Sequence, residues 1–179
     1  MTARKTSPSA EKTGSRKREA GTDAVTLLKQ DHQEVQALFD QYDELAEADD
    51  TPDEQKQQLA EQICAMLTVH AQVEEEIFYP AARRSFDEPG LIDEATVEHA
   101  TAKDLIAQIQ DGSPDEELYD AKVKVLGEYI RHHVKEEEGE MFPKARKSDL
   151  DLADLDAQMA ERKQELMAEV GLAEAPDVA

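Results

Sequence analysis

One eleven-residue pattern occurs twice in this chain, and it limits the possible folds more than any other feature. His70-Ala71-Gln72-Val73-Glu74-Glu75-Glu76-Ile77-Phe78-Tyr79-Pro80 aligns with His133-Val134-Lys135-Glu136-Glu137-Glu138-Gly139-Glu140-Met141-Phe142-Pro143. In each copy a histidine stands ten residues before a proline, an aromatic residue directly precedes that proline, and a glutamate follows the histidine at i+4. Four residues of helix turn through about 400°, so each histidine and its glutamate share one face, one turn apart. Two further histidines, His32 and His99, head the preceding segments; the pairs are spaced 63 residues apart and the single histidines 67. Such a repeat predicts two helical hairpins related by approximate two-fold symmetry.

The flanking sequence reads as helix throughout. Aromatic residues make up 4% of the 179, with no Trp, seven Gly and seven Pro, too few β-formers and turn residues for a sandwich or barrel. Asp23 is placed to cap a first helix whose apolar stripe is Leu28, Val35, Leu38, Phe39, Tyr42 and Leu45. Thr51-Pro52-Asp53-Glu54 reads as a capping box opening a second, with Leu59, Ile63, Met66, Val73 and Ile77, ending or kinking near Pro80. After a turn at Glu88-Pro89-Gly90, a third carries Ile92, Ala95, Ala102, Ile106 and Ile109 and stops at Asp111-Gly112. Ser113-Pro114-Asp115-Glu116 reads as a second capping box, opening a fourth with Leu118, Val125, Leu126, Tyr129, Ile130 and Met141. A last amphipathic stretch, with Leu152, Leu155, Met159, Leu166 and Val170, lies across the bundle or beside it. The expected architecture is all-α: an antiparallel up-down four-helix bundle over 23–147, an extra C-terminal helix and acidic tail over 148–179, and a disordered basic tail over 1–22.

Charge and composition exclude several functions. The chain carries 42 acidic against 20 basic side chains, a net −22, which argues against the bundle gripping nucleic acid; the basic tail leaves that question open for itself. No run of 18 apolar residues and no apolar leader segment occur, so no membrane association is expected. The lone Cys64 cannot form an internal disulfide, which suits a cytoplasmic protein, and its place beside Ile63 reads as a small core residue.

The histidines carry the functional information. His32, His70, His99 and His133 each fall on the inward stripe of a different helix; His132 is left over, as a surface residue or an outer partner. A buried carboxylate without a partner costs several kcal/mol, so Glu74 and Glu137 facing four imidazoles make sense if cations sit between them. Six such ligands are too many for one tetrahedral zinc and suit two irons bridged by the carboxylates, with Glu75 and Glu138 as reserve candidates. Six of the eight aromatic residues (Phe39, Tyr42, Phe78, Tyr79, Tyr129, Phe142) lie within ten residues of these candidates, as a wall limiting water access.

Asp31-His32, His70 to Pro80, Glu98-His99 and His133 to Pro143 together resemble the hemerythrin-like (HHE cation-binding) family over about residues 23–147. The resemblance implies a four-helix bundle with a non-haem di-iron centre, His32, His70, His99 and His133 as terminal ligands and Glu74 and Glu137 as bridges. Oxygen-carrying members have another histidine four residues after the one on the third helix, where this chain has Lys103. The implied function is binding of dioxygen or a related diatomic or peroxide, in oxygen or redox sensing or in oxidative or nitrosative stress response. The alternatives are a di-iron enzyme that decomposes peroxide or oxidises iron, with a non-enzymatic role preferred, and an acidic interaction protein using iron as a structural or sensory element. A dimer is compatible with all three.

Overall fold

The computed structural model describes residues 23–48, 50–87 and 89–171, and the expected basic tail and final acidic residues lie outside them. α1 (Ala24–Glu47) begins where the sequence placed it. Asp23 Oδ1 accepts the Thr26 N–H at 2.8 Å, satisfying one of the free donors of the first turn, and Arg146 closes on the same carboxylate at 2.9 Å.

α2 (Asp53–Val73) starts one residue later than expected. Pro52 is the N-cap and no side chain caps the helix, so the Thr51 box does not form; the Pro52 carbonyl accepts from Gln55 and Lys56 instead. The helix then widens into a π turn, Glu74–Phe78, closed by the Tyr79 N–H on the Glu74 carbonyl, and continues as α3 (Tyr79–Ser85). The chain therefore neither ends nor breaks at Pro80. The wide turn leaves Pro80 in the first turn of α3, the place where a missing N–H is tolerated.

The second half repeats the design. α4 (Gly90–Gln110) is followed by α5 (Tyr119–Glu136), a π turn at Glu137–Met141, and α6 (Phe142–Lys147). The second capping box also fails to form. Residues 114–118 make turns, with the Glu116 N–H on Ser113 and the Tyr119 N–H on Glu116, and α5 begins only at Tyr119. Pro114 and Tyr119 are both buried, yet five residues of regular helix would set them about 140° apart. Turns bring both inward and leave Leu118 62% exposed.

α1, α2, α4 and α5 form the bundle, α1 packing on α2 and α5, and α4 on the same two. α7 (Leu152–Glu169) lies against α1, α2 and the first π turn, which settles the placement the sequence left open. It buries Leu155, Met159 and Leu166, while Val170, like Val125 of α5, is exposed. Because α7 covers a second face of α2, that helix buries Leu67 and Val69 along with Ile63 and Val73 of its expected stripe, while Leu59, Met66 and Ile77 are only partly buried.

The apolar core is in two parts. One holds Leu28, Val73, Phe78, Ile92, Phe142 and Met159; the other holds Phe39, Tyr42, Ile63, Cys64, Ile106 and Leu126. Each fully buried large side chain contributes about 1.5–3 kcal/mol. Among the described residues no helix is long and apolar enough to cross a membrane.

Candidate metal centre

Buried polar side chains gather between the two apolar clusters. α1 supplies His32, α2 His70, α4 His99 and α5 His133, while Glu74 and Glu137 are the first residues of the two π turns. All six residues singled out in the sequence meet in this layer. Glu74 Oε2 lies 3.3 Å from His70 Nε2 and 3.4 Å from His99 Nε2. Glu137 Oε2 lies 3.3 Å from His32 Nε2 and 3.5 Å from His133 Nε2. Each carboxylate thus faces one histidine of its own helix and one of the other half.

The outer nitrogens of the four rings are all engaged. His32 Nδ1 donates to Glu138 at 3.0 Å, His70 to Asp31 at 3.4 Å, His99 to Glu75 at 3.0 Å and His133 to Glu98 at 2.6 Å. A carboxylate on Nδ1–H fixes the tautomer and aims the Nε2 lone pair inward, as metal-ligating histidines require. Glu75 and Glu138, read as reserve ligands, therefore serve from outside. Asp31 and Glu98 do the same; the signal for them was their repeated place directly before His32 and His99.

The layer satisfies a direct test of fit for cations. His32 Nε2, His70 Nε2, Glu74 Oε1 and Glu137 Oε2 are buried with no hydrogen-bond partner. Each such atom costs about 1–3 kcal/mol when left unpaired, and a cation between them satisfies them together. One atom from each of His32, His70, Glu74 and Glu137 lies within 4.8 Å of the others, and the same holds for Glu74, His99 and His133. Glu74 belongs to both groups.

Without a cation, two of the rings, His70 and His99, favour their protonated forms. Burial works against charge on His70, but the charge of Glu74 and the bond to Asp31 prevail and keep it well above the ordinary imidazole value. His99 is raised likewise, by Glu74 against burial. Burial would push Glu74 up, yet His70 and His99 hold it well below the usual carboxylate range. A metal held here would compete with protons at His70 and His99.

Tyr79 is the polar member that sequence reasoning missed, having been read only as part of the aromatic wall. Its hydroxyl donates to Glu137 Oε1 at 2.9 Å and lies 3.2 Å from His99 Nε2. Burial, then the charges of Glu74 and Glu137, hold the phenol well above its ordinary value. The signal was the one hydroxyl by which Tyr79 differs from Phe142 in the repeat.

A cavity of about 20 Å³, room for one water-sized molecule, is lined by the four histidines together with Val35, Leu67, Ile106 and Ile130. Lys103 also borders it and pairs with Glu75 at 2.6 Å. His132 is 61% exposed and faces Glu136 and Glu98 rather than the buried layer. Cys64 is a buried free thiol, pushed up to about 12 by burial and then by Glu61, and takes no part.

Three comparisons place this geometry among known proteins. In sequence the chain is similar to a DNA nickase of Nostoc sp., 33% identical over 117 residues, which are 65% of this chain and 31% of that protein. The chain therefore spans about a third of that relative's length. In fold it is similar to a hemerythrin HHE cation binding domain-containing protein of Mycobacterium kansasii known from its crystal structure. The TM-score is 0.68 at 23% identity, covering 83% of this chain and 90% of that one. Residues 23–145, which include every buried histidine and glutamate described above, match the family of the hemerythrin HHE cation binding domain, and the chain belongs to that family.

Proposed function

We propose that the buried layer holds two iron ions and that the protein binds dioxygen or a related diatomic or peroxide, in oxygen or redox sensing or in oxidative or nitrosative stress response. His32, His70, His99, His133, Glu74 and Glu137 would hold them. One observation carries this reading: four inward-facing imidazole nitrogens converge on two buried carboxylates, and four atoms of this set have no hydrogen-bond partner. Mixed imidazole and carboxylate donors suit iron.

Bound iron supplies redox change and open coordination positions. The chain's own residues set the rest. The carboxylates outside each ring hold the imidazoles in register, and the cavity the four rings line has room for one water-sized molecule. Tyr79 holds a proton on Glu137 at the edge of the layer. A cytoplasmic setting fits the single buried thiol.

The test is an absorption spectrum of anaerobically iron-loaded protein before and after air, peroxide and nitric oxide. New visible bands that are lost in His70→Ala and His99→Ala support the reading. A spectrum unchanged by all three reagents contradicts it. The Tyr79 hydroxyl, a hydrogen-bond donor inside the layer, favours peroxide decomposition as a second reading. Steady peroxide turnover, absent in His70→Ala and slowed in Tyr79→Phe, would promote it over sensing.

A further inference from the structure

Four carboxylates hold the outer nitrogens of the buried histidines, and three of them carry a lysine. Lys29 lies 3.2 Å from Glu138, Lys103 2.6 Å from Glu75, and Lys163 2.5 Å from Asp31. Among the described residues, the fourth, Glu98, has no lysine or arginine ion pair, although it is only 9% exposed. Its Oε2 is taken by His133, and its Oε1 turns toward His132 Nε2 at 3.9 Å, beyond hydrogen-bonding distance.

The two halves show what is missing. Glu98 corresponds to Asp31, His132 to Val69, and Glu136 to Val73. In the first half α7 lies over this face: Val69 and Val73 are buried, and Lys163 reaches Asp31. In the second half the same face carries His132 and Glu136, whose Nε2 and Oε1 are 3.2 Å apart. Their i,i+4 spacing is that of His70 with Glu74 and of His133 with Glu137, one residue back and about 100° round the helix.

We propose that a divalent transition-metal cation binds between His132, Glu98 and Glu136, in the position that the Lys163 ammonium takes in the first half. The candidate ligand atoms of the three residues lie within 4.8 Å of one another on α4 and α5. One imidazole nitrogen with two carboxylate oxygens selects zinc, ferrous or manganous ions over calcium or magnesium, and the exposure of His132 leaves room for water to complete the shell. The buried Glu98 carboxylate supplies what surface acidic groups lack: an oxygen fixed in place, because its partner oxygen is held by His133. The ion then charges the far side of the carboxylate that orients His133. This site does not depend on which metal fills the buried layer.

The test is calorimetric titration of zinc into the full chain after its buried layer has been loaded with iron and excess iron removed. The expected result is one further zinc per chain with iron content unchanged, bound about tenfold or more weakly in His132→Ala and weaker also in Glu136→Gln. If the layer takes no iron, zinc titration of the metal-free chain still shows a class of sites lost in His132→Ala and weakened in Glu136→Gln. Binding of no further zinc, binding unaffected by both substitutions, or zinc uptake only as iron leaves would overturn the proposal.

Discussion

Tyr79 stands in the first half where Phe142 stands in the second, and its hydroxyl reaches Glu137 Oε1 at 2.9 Å across the layer. The pair breaks the two-fold symmetry of the site at a single oxygen. Tyr79→Phe keeps the ring and removes the donor, leaving a buried carboxylate oxygen unpaired at about 1–3 kcal/mol. Thermal unfolding of the metal-free variant is therefore expected about 2–12 °C below that of the parent chain. An unchanged midpoint would show that the hydrogen bond contributes nothing.

Lys163 of α7 reaches the buried layer through Asp31, which holds His70. Burial pushes the Asp31 carboxyl up, but His70 and Lys163 bring it below its ordinary value. Lys163→Met leaves Oδ1 of the buried Asp31 carboxylate without its partner and should cost about 1–3 kcal/mol of stability. It should also weaken metal retention at His70 about 10–100-fold, restored in Lys163→Arg and read by competition with a chelator.

Two glycines predict opposite signs. A Cβ on Gly127 would meet the buried Phe39 ring at 3.0 Å, whereas one on Gly139 meets nothing within 4 Å. Gly127→Ala gains about 1 kcal/mol of helix propensity and incurs about 1–3 kcal/mol of overpacking, so it destabilises. Gly139→Ala gains the propensity alone and stabilises by about 0.5–1 kcal/mol. Denaturant midpoints of the two variants check both signs.

Two groups outside the layer set stability at the extremes of pH. Burial, then Glu61, raises the Cys64 thiol to about 12, so its contribution is full below the free-thiol value of about 8.5 and is lost as pH climbs toward 12. Burial works against the Asp23 carboxylate, but the Thr26 and Arg146 bonds keep it below its ordinary value; its contribution is present above about pH 4 and disappears on acidification. Thiol reagents at pH 8 should label native Cys64 only as fast as the chain opens. Labelling at the rate of the unfolded chain would contradict its burial.

Much of this was legible in the sequence because apolar spacing and the repeated His-x-x-x-Glu pair each act through helix geometry alone. Asp23 announced its helix because a capping oxygen needs only the local backbone. Thr51 and Ser113 misled for the same reason: prolines and buried neighbours set where α2 and α5 begin, and Pro114 with Tyr119 is a tertiary demand. The π turns left no local mark, although they explain how Pro80 and Pro143 sit in unbroken helices. Lys163 and the path from α7 to His70 were out of reach, since they depend on where the last helix lies. Tyr79 was seen and undervalued, because its hydroxyl matters only once Glu137 is known to face it.

The most direct measurement is the iron bound per chain after anaerobic loading, in the parent protein and in variants that each remove one histidine pair. The account predicts two irons in the parent, and loss of iron both in His32→Ala/His70→Ala and in His99→Ala/His133→Ala. A folded parent chain that retains no iron, or one iron indifferent to either pair, would contradict it.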